Sequence, residues 1–222
     1  MSNERDLPDR GDTRLVFEVI DDSASFAALR ESWETLFACA AVPHFFQRFE
    51  WLWAAWRHVA EPKGRRLLIL VGRSEGRVVL IWPLMRQDRG PIRFLASDRG
   101  EYRDILVEAG PAAERWVGEA YDSLVAMDDV NILHLQDIRP VSLLARHVAA
   151  RGVSARTIVR PAVAIGLGAW RGFAQYLEGR SRNLRLDQGR QWRRLAKFGD
   201  PAFVSVDDRA TAAETIAWIY ER

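Results

Sequence analysis

Apolar and polar residues alternate along TRLVFEVID (13–21), the period of a half-buried strand. Directly after it, Phe26, Leu29, Trp33, Leu36, Phe37 and Ala40 recur at helical spacing, with Asp22 or Ser23 as N-cap and Pro43 marking the end. The stretch PHFFQRFEWLWAAWRHVAEP (43–62) predicts a second helix from about Arg48. Phe49, Leu52, Trp53, Trp56 and Val59 or Ala60 share one side of it, and Arg48, Trp51, Ala55 and His58 turn away. LLILVG (67–72) and RVVLIWPL (77–84) predict a hairpin around RSEG, whose Gly76 can take positive φ. IRFL (92–95) and DILV (104–107) predict shorter strands, separated by the polar loop ASDRGEYR.

From Pro111 a helix carries Trp116, Val117, Ala120, Tyr121, Leu124 and Met127 on one face. VNILHL (130–135) predicts a buried strand, VSLLARHVAA (141–150) a helix and VSARTIVR (153–160) another strand. This mixture of strands and helices predicts an α/β or α+β class built around a mixed sheet. After about Gly168, RGFAQYLEG and SRNLRLDQGRQWRRLAKFG predict two helices, the second strongly basic. AFVSV (202–206) predicts a strand, and Asp207 or Asp208 caps a helix that is still apolar-periodic at Arg222. The expected organisation is a flexible arm (1–13), a first domain (14–170), then a basic helical connection with the incomplete start of a second domain (171–222).

Composition narrows the class. A hydrophobic content of 48% and a charged content of 28% are those of a globular protein. The single cysteine, Cys39, rules out an internal disulfide framework and multi-cysteine zinc patterns; it is expected as a buried, inert thiol. The polar start carries no signal-peptide pattern, and charge breaks every apolar run short of spanning length, so a cytoplasmic protein without an integral membrane segment is expected. A net charge of +2 gives no bulk field for nucleic acid, and the high pI reflects arginine, since only Lys63 and Lys197 are lysine. The aromatic segment 43–62 admits a stacking platform, a membrane-surface helix or core packing. Its one-sided stripe favours the core, with Trp51 left outside the stripe where it could border an acceptor groove.

Most chemical signatures are absent. No glycine-rich loop precedes Lys-Ser or Lys-Thr, no serine sits in G-x-S-x-G, and His44, His58, His134 and His147 are too scattered to ligate a metal, so no metal is expected. Gly166, Gly168 and Gly172 miss the dinucleotide-loop spacing. RSEGRV (73–78) begins the acyl-CoA loop pattern R/Q-x-x-G-x-G/A but fails at Val78 and lies in a hairpin turn. Two stretches remain. The loop SDRGEYRD (97–104) collects Asp98, Arg99, Glu101, Tyr102, Arg103 and Asp104, a set that binds a polar substrate or relays a proton, or is simply solvated. The run Arg180, Arg182, Arg185, Arg190, Arg193, Arg194 and Lys197 suits phosphate, a nucleotide-activated sugar or an anionic lipid, or is a solvated, salt-bridged face.

The order FFQRFEWLWAAW, GRVVLIWPL, IRFLASDRGEYRDILV, VNILHLQDI, SLLARHVAARG and SRNLRLDQGRQWRRLAKFGD resembles the CelD/BcsL branch of the GNAT acyltransferases, associated with cellulose and exopolysaccharide biosynthesis. The resemblance covers roughly residues 14–222 and implies a GNAT-like mixed sheet flanked by helices, in a FemAB-like pair of halves of which the second is cut short. It also implies acetyl-CoA as acyl donor, with an amine or hydroxyl acceptor that is a small molecule or a saccharide. Tyr102 and Asp104 match a recurrent family position and become the candidates for catalysis. Asp98, Arg99, Glu101, Trp51, Arg190 and Arg194 are the candidates for substrate contact, while the acyl-CoA site is expected in the second half. The alternative expectation is a non-catalytic module that binds a partner, the missing half or a second copy.

Overall fold

The computed structural model describes residues 14–88, 90–97, 101–151, 157–159, 161 and 165–221. The chain divides into two compact units, Met1–Arg160 and Pro161–Arg222. The first is a mixed α/β unit with a six-stranded sheet.

Strand β1 (Val16–Ile20) is followed by helices α1 (Ser23–Ala28), α2 (Arg30–Ala38) and α3 (Phe49–Ala55). Strands β2 (Arg66–Ser74), β3 (Arg77–Arg86), β4 (Ile92–Phe94) and β5 (Leu106–Val107) come next. Helix α4 (Ala113–Val125), strand β6 (Leu133–His134) and helix α5 (Leu143–Ala150) complete the unit. The strand order is β1-β2-β3-β4-β6, with β5 also on β3. All pairs are antiparallel except β4 with β6.

Local chemistry accounts for the elements. The Asp22 carboxylate caps α1, accepting from the N–H groups of Ala24 and Ser25 at 2.8 and 2.9 Å. The expected single helix breaks at Leu29, whose N–H turns back to the Phe26 carbonyl at 3.1 Å, a three-residue step that tightens the chain before α2. At the β2–β3 hairpin, Glu75 and Gly76 have φ of 53° and 78°, the two left-handed positions of a type I′ turn. Opposite Gly72 and Arg73, Val79 has no partner and forms a bulge, which puts the consecutive residues Val79 and Leu80 in the same core while Val78 and Ile81 face the other side.

Each face of the sheet has its own core. Phe26, Trp33, Leu36, Phe49, Leu52 and Trp56 from α1, α2, α3 and the π-helical turn Trp56–Ala60 cover Ile69, Val71 and Ile81. Trp116, Val117, Ala120 and Leu124 of α4, with Leu144 of α5, cover Leu70, Trp82 and Phe94 on the other. The stripe Phe49, Leu52, Trp56 and Ala60 is therefore core, while Phe45 is exposed; Ala55 joins the buried face, contrary to expectation, because it follows Leu52 by three positions.

Other expectations are corrected. VNILHL forms only the short β6, with His134 and Ile132 exposed, because it is the outermost strand of the sheet and only two of its residues reach β4. Cys39 is exposed rather than buried, since it sits at the C-cap of α2 where the apolar face has ended. VSARTIVR lies largely outside the described residues, and 157–159 are not in a strand.

The second unit holds α6 (Phe173–Glu178), α7 (Arg182–Leu195) and α8 (Arg209–Tyr220). Ser181 caps α7, and Asp208 caps α8 as one of the two aspartates expected there. Arg185 donates to the carbonyls of Glu178 and Arg180 at 3.0 and 3.1 Å, closing the turn between α6 and α7. AFVSV is not a strand: no sheet partner is present for it among the described residues, and Phe203 and Val204 are exposed. None of the described residues of this unit is buried.

Candidate functional site

The fourth position of the sheet is a strand in two pieces. Phe94 of β4 pairs with Leu84 and Leu106 of β5 pairs with Ile81, so only Pro83 and Trp82 separate the two pieces along β3. Leu95 still donates its N–H to the Pro83 carbonyl at 2.9 Å, but proline has no N–H with which to continue the ladder. The chain leaves the sheet at this point and returns at Leu106. Its two pieces take different outer neighbours. β4 pairs with β6, whereas β5 is flanked by 39–41, through Ala41 N–H to Val107 carbonyl and Ala109 N–H to Cys39 carbonyl, both 2.9 Å.

Polar side chains from distant parts of the sequence gather where the strand divides. Asp104 is buried and accepts from Ser142 Oγ at 2.7 Å and from the Ile105 N–H at 2.9 Å. Ser142 Oγ in turn accepts from the Ala145 N–H at 3.2 Å, so one hydroxyl caps α5 and orients the carboxyl. Gln47, also buried, donates from Nε2 to the Ile105 carbonyl at 3.0 Å and accepts the His44 N–H on Oε1 at 3.2 Å. Arg139 donates from Nη2 to the Val42 carbonyl at 2.8 Å. Arg103 is buried, pairs with Asp137 and donates to the Ser97 carbonyl at 2.9 Å. A crevice of about 10 Å³, the size of one water, lies between Ala41, Val42, Asp104, Ile105, Leu143 and Leu144.

Backbone strain concentrates in the same place. Ala96, Tyr102 and Asp137 have φ of 61°, 54° and 57°, left-handed conformations that a residue with a side chain adopts at a cost of roughly 1 kcal/mol or more. They are held by the Arg103 N–H, which bonds to the Asp137 carbonyl at 3.1 Å, and by the Arg103–Asp137 ion pair.

Electrostatics set two groups apart from the rest. Burial pushes the Asp104 carboxyl up to about 6, against the opposing pull of the Ser142 hydroxyl, the Ile105 N–H and the Arg139 charge. Burial, and then the same Arg139 charge, pushes His44 down to about 4, so its ring is neutral at pH 7. Neither ring nitrogen of His44 has a hydrogen-bond partner among the described residues.

The residues expected to act together are only partly together. Asp104 is at the centre of the cluster. Tyr102 and Glu101, just before it, are exposed. Asp98 and Arg99 lie outside the described residues. Trp51 on α3 is half-buried and packs against Phe45 and Phe46, with ring centroids 5.4 and 5.3 Å away. Arg190 and Arg194 are exposed on α7 in the second unit, and Arg190 pairs with Asp187. The sequence does not point to Ser142, which bonds Asp104, to Arg139, whose charge acts on it, or to Gln47, which holds the Ile105 carbonyl; of these, Ser142 alone has a local signal, as an N-cap residue just before an apolar helix.

No position in the first unit that matches the acyl-CoA loop pattern offers a free cradle of N–H groups. RSEG is the hairpin turn, and RWVGEA (115–120), which meets the pattern in full, is in the interior of α4, away from a helix start. Gly110 and Ala112 do repeat the G-x-A spacing at the start of α4, but Val107 stands at the Arg/Gln position, the Ala109 N–H is bonded to Cys39, and Pro111 has none. Among the described residues, no group of three or more His, Cys, Asp or Glu side chains could hold a metal ion, and no helix is long and apolar enough to cross a membrane. No family model, curated protein or solved structure matches the chain.

Proposed function

We propose that the chain is an acyltransferase-related protein of GNAT type, in which Asp104 accepts the proton of an amine or hydroxyl acceptor and acetyl-CoA is the acyl donor. The observation that carries this reading is the Asp104 carboxyl: buried, aligned by Ser142 and Ile105, and pushed up to about 6. At pH 7 such a group is ionised yet basic enough to take a proton as the acceptor's lone pair becomes nucleophilic. Tyr102, exposed two residues earlier on a left-handed backbone, is assigned the complementary part, giving its phenol proton to the departing thiolate. The mixed sheet with helices on both faces supports a GNAT-like architecture. The acceptor is a small molecule or saccharide, and the setting is cellulose or exopolysaccharide biosynthesis.

RSEG and Gly110–Ala112 do not fit a pyrophosphate, and the complete pattern Arg115-x-x-Gly118-x-Ala120 lies inside α4 rather than at a helix start, so the donor site is assigned outside all three and no step is routed through the cofactor's phosphates. Thermal unfolding with and without millimolar acetyl-CoA tests the reading. Binding at 100-fold above Kd adds about 2.7 kcal/mol and raises Tm by several degrees. An unchanged Tm contradicts it.

A second reading, a binding module, is favoured by one observation: no described residue of the second unit is buried, although it carries Phe173, Trp192, Phe198, Phe203, Trp218 and Tyr220. Helices ordered around no core of their own need apolar cover from elsewhere.

A further inference from the structure

The uncovered surface of the second unit is polarised in charge as well as apolar. α7 carries five arginines against one carboxylate, Asp187, and is followed by Lys197. Arg185 is engaged with backbone carbonyls and Arg190 with Asp187, whereas Arg182, Arg193 and Arg194 have no ion-pair partner among the described residues. α8 is flanked by Asp207, Asp208 and Glu221 and carries Glu214, four carboxylates against Arg209 and Arg222. Both helices interleave these charges with exposed apolar side chains. On α7 and just beyond it, Leu186, Arg190, Arg193 and Lys197 recur at helical spacing, and Leu186 is 57% exposed. On α8, Glu214, Trp218 and Glu221 do the same, and Trp218 is 56% exposed.

One unit thus holds two complementary stripes, basic-apolar and acidic-apolar. We infer that the cover is the second unit of another copy of this chain, with α7 of one protomer against α8 of the other, twice, about a two-fold axis. The inference rests on the binding-module reading and names its partner. An isologous pair of this kind uses each stripe once on each protomer and leaves no stripe open, so association closes at a dimer. At 1.5 Å per residue, helices of 14 and 12 residues run about 20 Å, so each can lie along the other over most of its length. The open groove lined by Phe173, Gln188, Gly189, Trp192, Arg193 and Phe203 lies alongside α7 and would receive apolar side chains of α8, such as Ile219 or Tyr220. Fixed opposite charges at the rim set the pairing direction, since α7 on α7 brings arginine against arginine.

The test joins light scattering with hydrogen exchange on the full chain. The expected mass is twice 25.3 kDa, with amides of 182–195 and 209–220 protected only where the dimer forms. Arg193→Glu with Arg194→Glu is expected to give monomers. Adding Glu214→Arg and Glu221→Arg to that variant is expected to restore the dimer, which a merely misfolded protein would not do. A dimer indifferent to these changes overturns the α7–α8 pairing. A monomer whose α7 and α8 amides exchange freely overturns the second copy but leaves the binding-module reading standing. A monomer with both helices protected overturns the two together.

Discussion

Ser142 Oγ lies 2.7 Å from Asp104 Oδ1 and accepts the Ala145 N–H on its other side, so a single hydroxyl joins the start of α5 to the divided strand. Ser142→Ala removes both bonds. The lost cap is expected to cost about 1–2 kcal/mol, read from urea unfolding. Because the Ser142 bond holds the Asp104 pKa down, its removal is also expected to move the carboxyl titration to higher pH. An unchanged titration would mean that the hydroxyl is a cap only.

Asp104 and His44 pull stability in opposite directions with pH. The folded Asp104 value, about 6, lies above the ordinary 3.8, so its contribution is fully present below 3.8 and is lost as pH rises through about 6. The folded His44 value, about 4, lies below the ordinary 6.5, so its contribution is present above 6.5 and is lost as pH falls through about 4. Between those limits the two slopes oppose, and the wild-type protein is expected to change little on their account. His44→Gln should gain stability on acidification from pH 6 to pH 4, and Asp104→Asn should lose it. Urea midpoints across that range check both signs.

Gly72 answers to packing rather than to a turn. A Cβ there would stand 2.9 Å from Leu15 Cδ1, 3.1 Å from Phe17 Cε1 and 3.2 Å from Leu80 Cβ, because Leu15 and Phe17 of the first strand segment lie over the β2–β3 bulge. Gly72→Ala is expected to destabilise the first unit by about 1–3 kcal/mol, measured by thermal or urea unfolding, as Phe17 is pushed off the sheet.

What the sequence could reveal depended on how local its cause was. Glu75-Gly76 announced the hairpin because the turn chemistry is contained in two residues. The aromatic stripe of α3 announced a core for the same reason. Pro83 also carried information, the interruption of the neighbouring strand, but its effect appears only once Leu95 and Leu106 are placed against β3. Asp104 was legible as a candidate within its own loop. Ser142, which bonds it, and Arg139, whose charge acts on it, come from segments far along the chain, and pairing of that kind leaves no periodicity to read. AFVSV alternated like a strand yet has no neighbouring strand among the described residues, and alternation alone does not make a sheet.

Asp104→Asn separates function from fold. An uncharged side chain of the same shape avoids the cost of burying a carboxylate, which the gap between 3.8 and about 6 puts at about 3 kcal/mol. The variant is expected to be more stable than wild type at pH 7 and to release no thiol from acetyl-CoA above background in the presence of acceptors. A variant that keeps acceptor-dependent turnover would remove Asp104 from the chemistry.

The most direct measurement is the pH titration of the Asp104 carboxyl carbon by NMR, assigned by its disappearance in Asp104→Asn. A midpoint of about 6 is expected, moving upward in Ser142→Ala. A midpoint at the ordinary 3.8 would contradict it, because a carboxylate of that strength is too weak a base for the role assigned to Asp104.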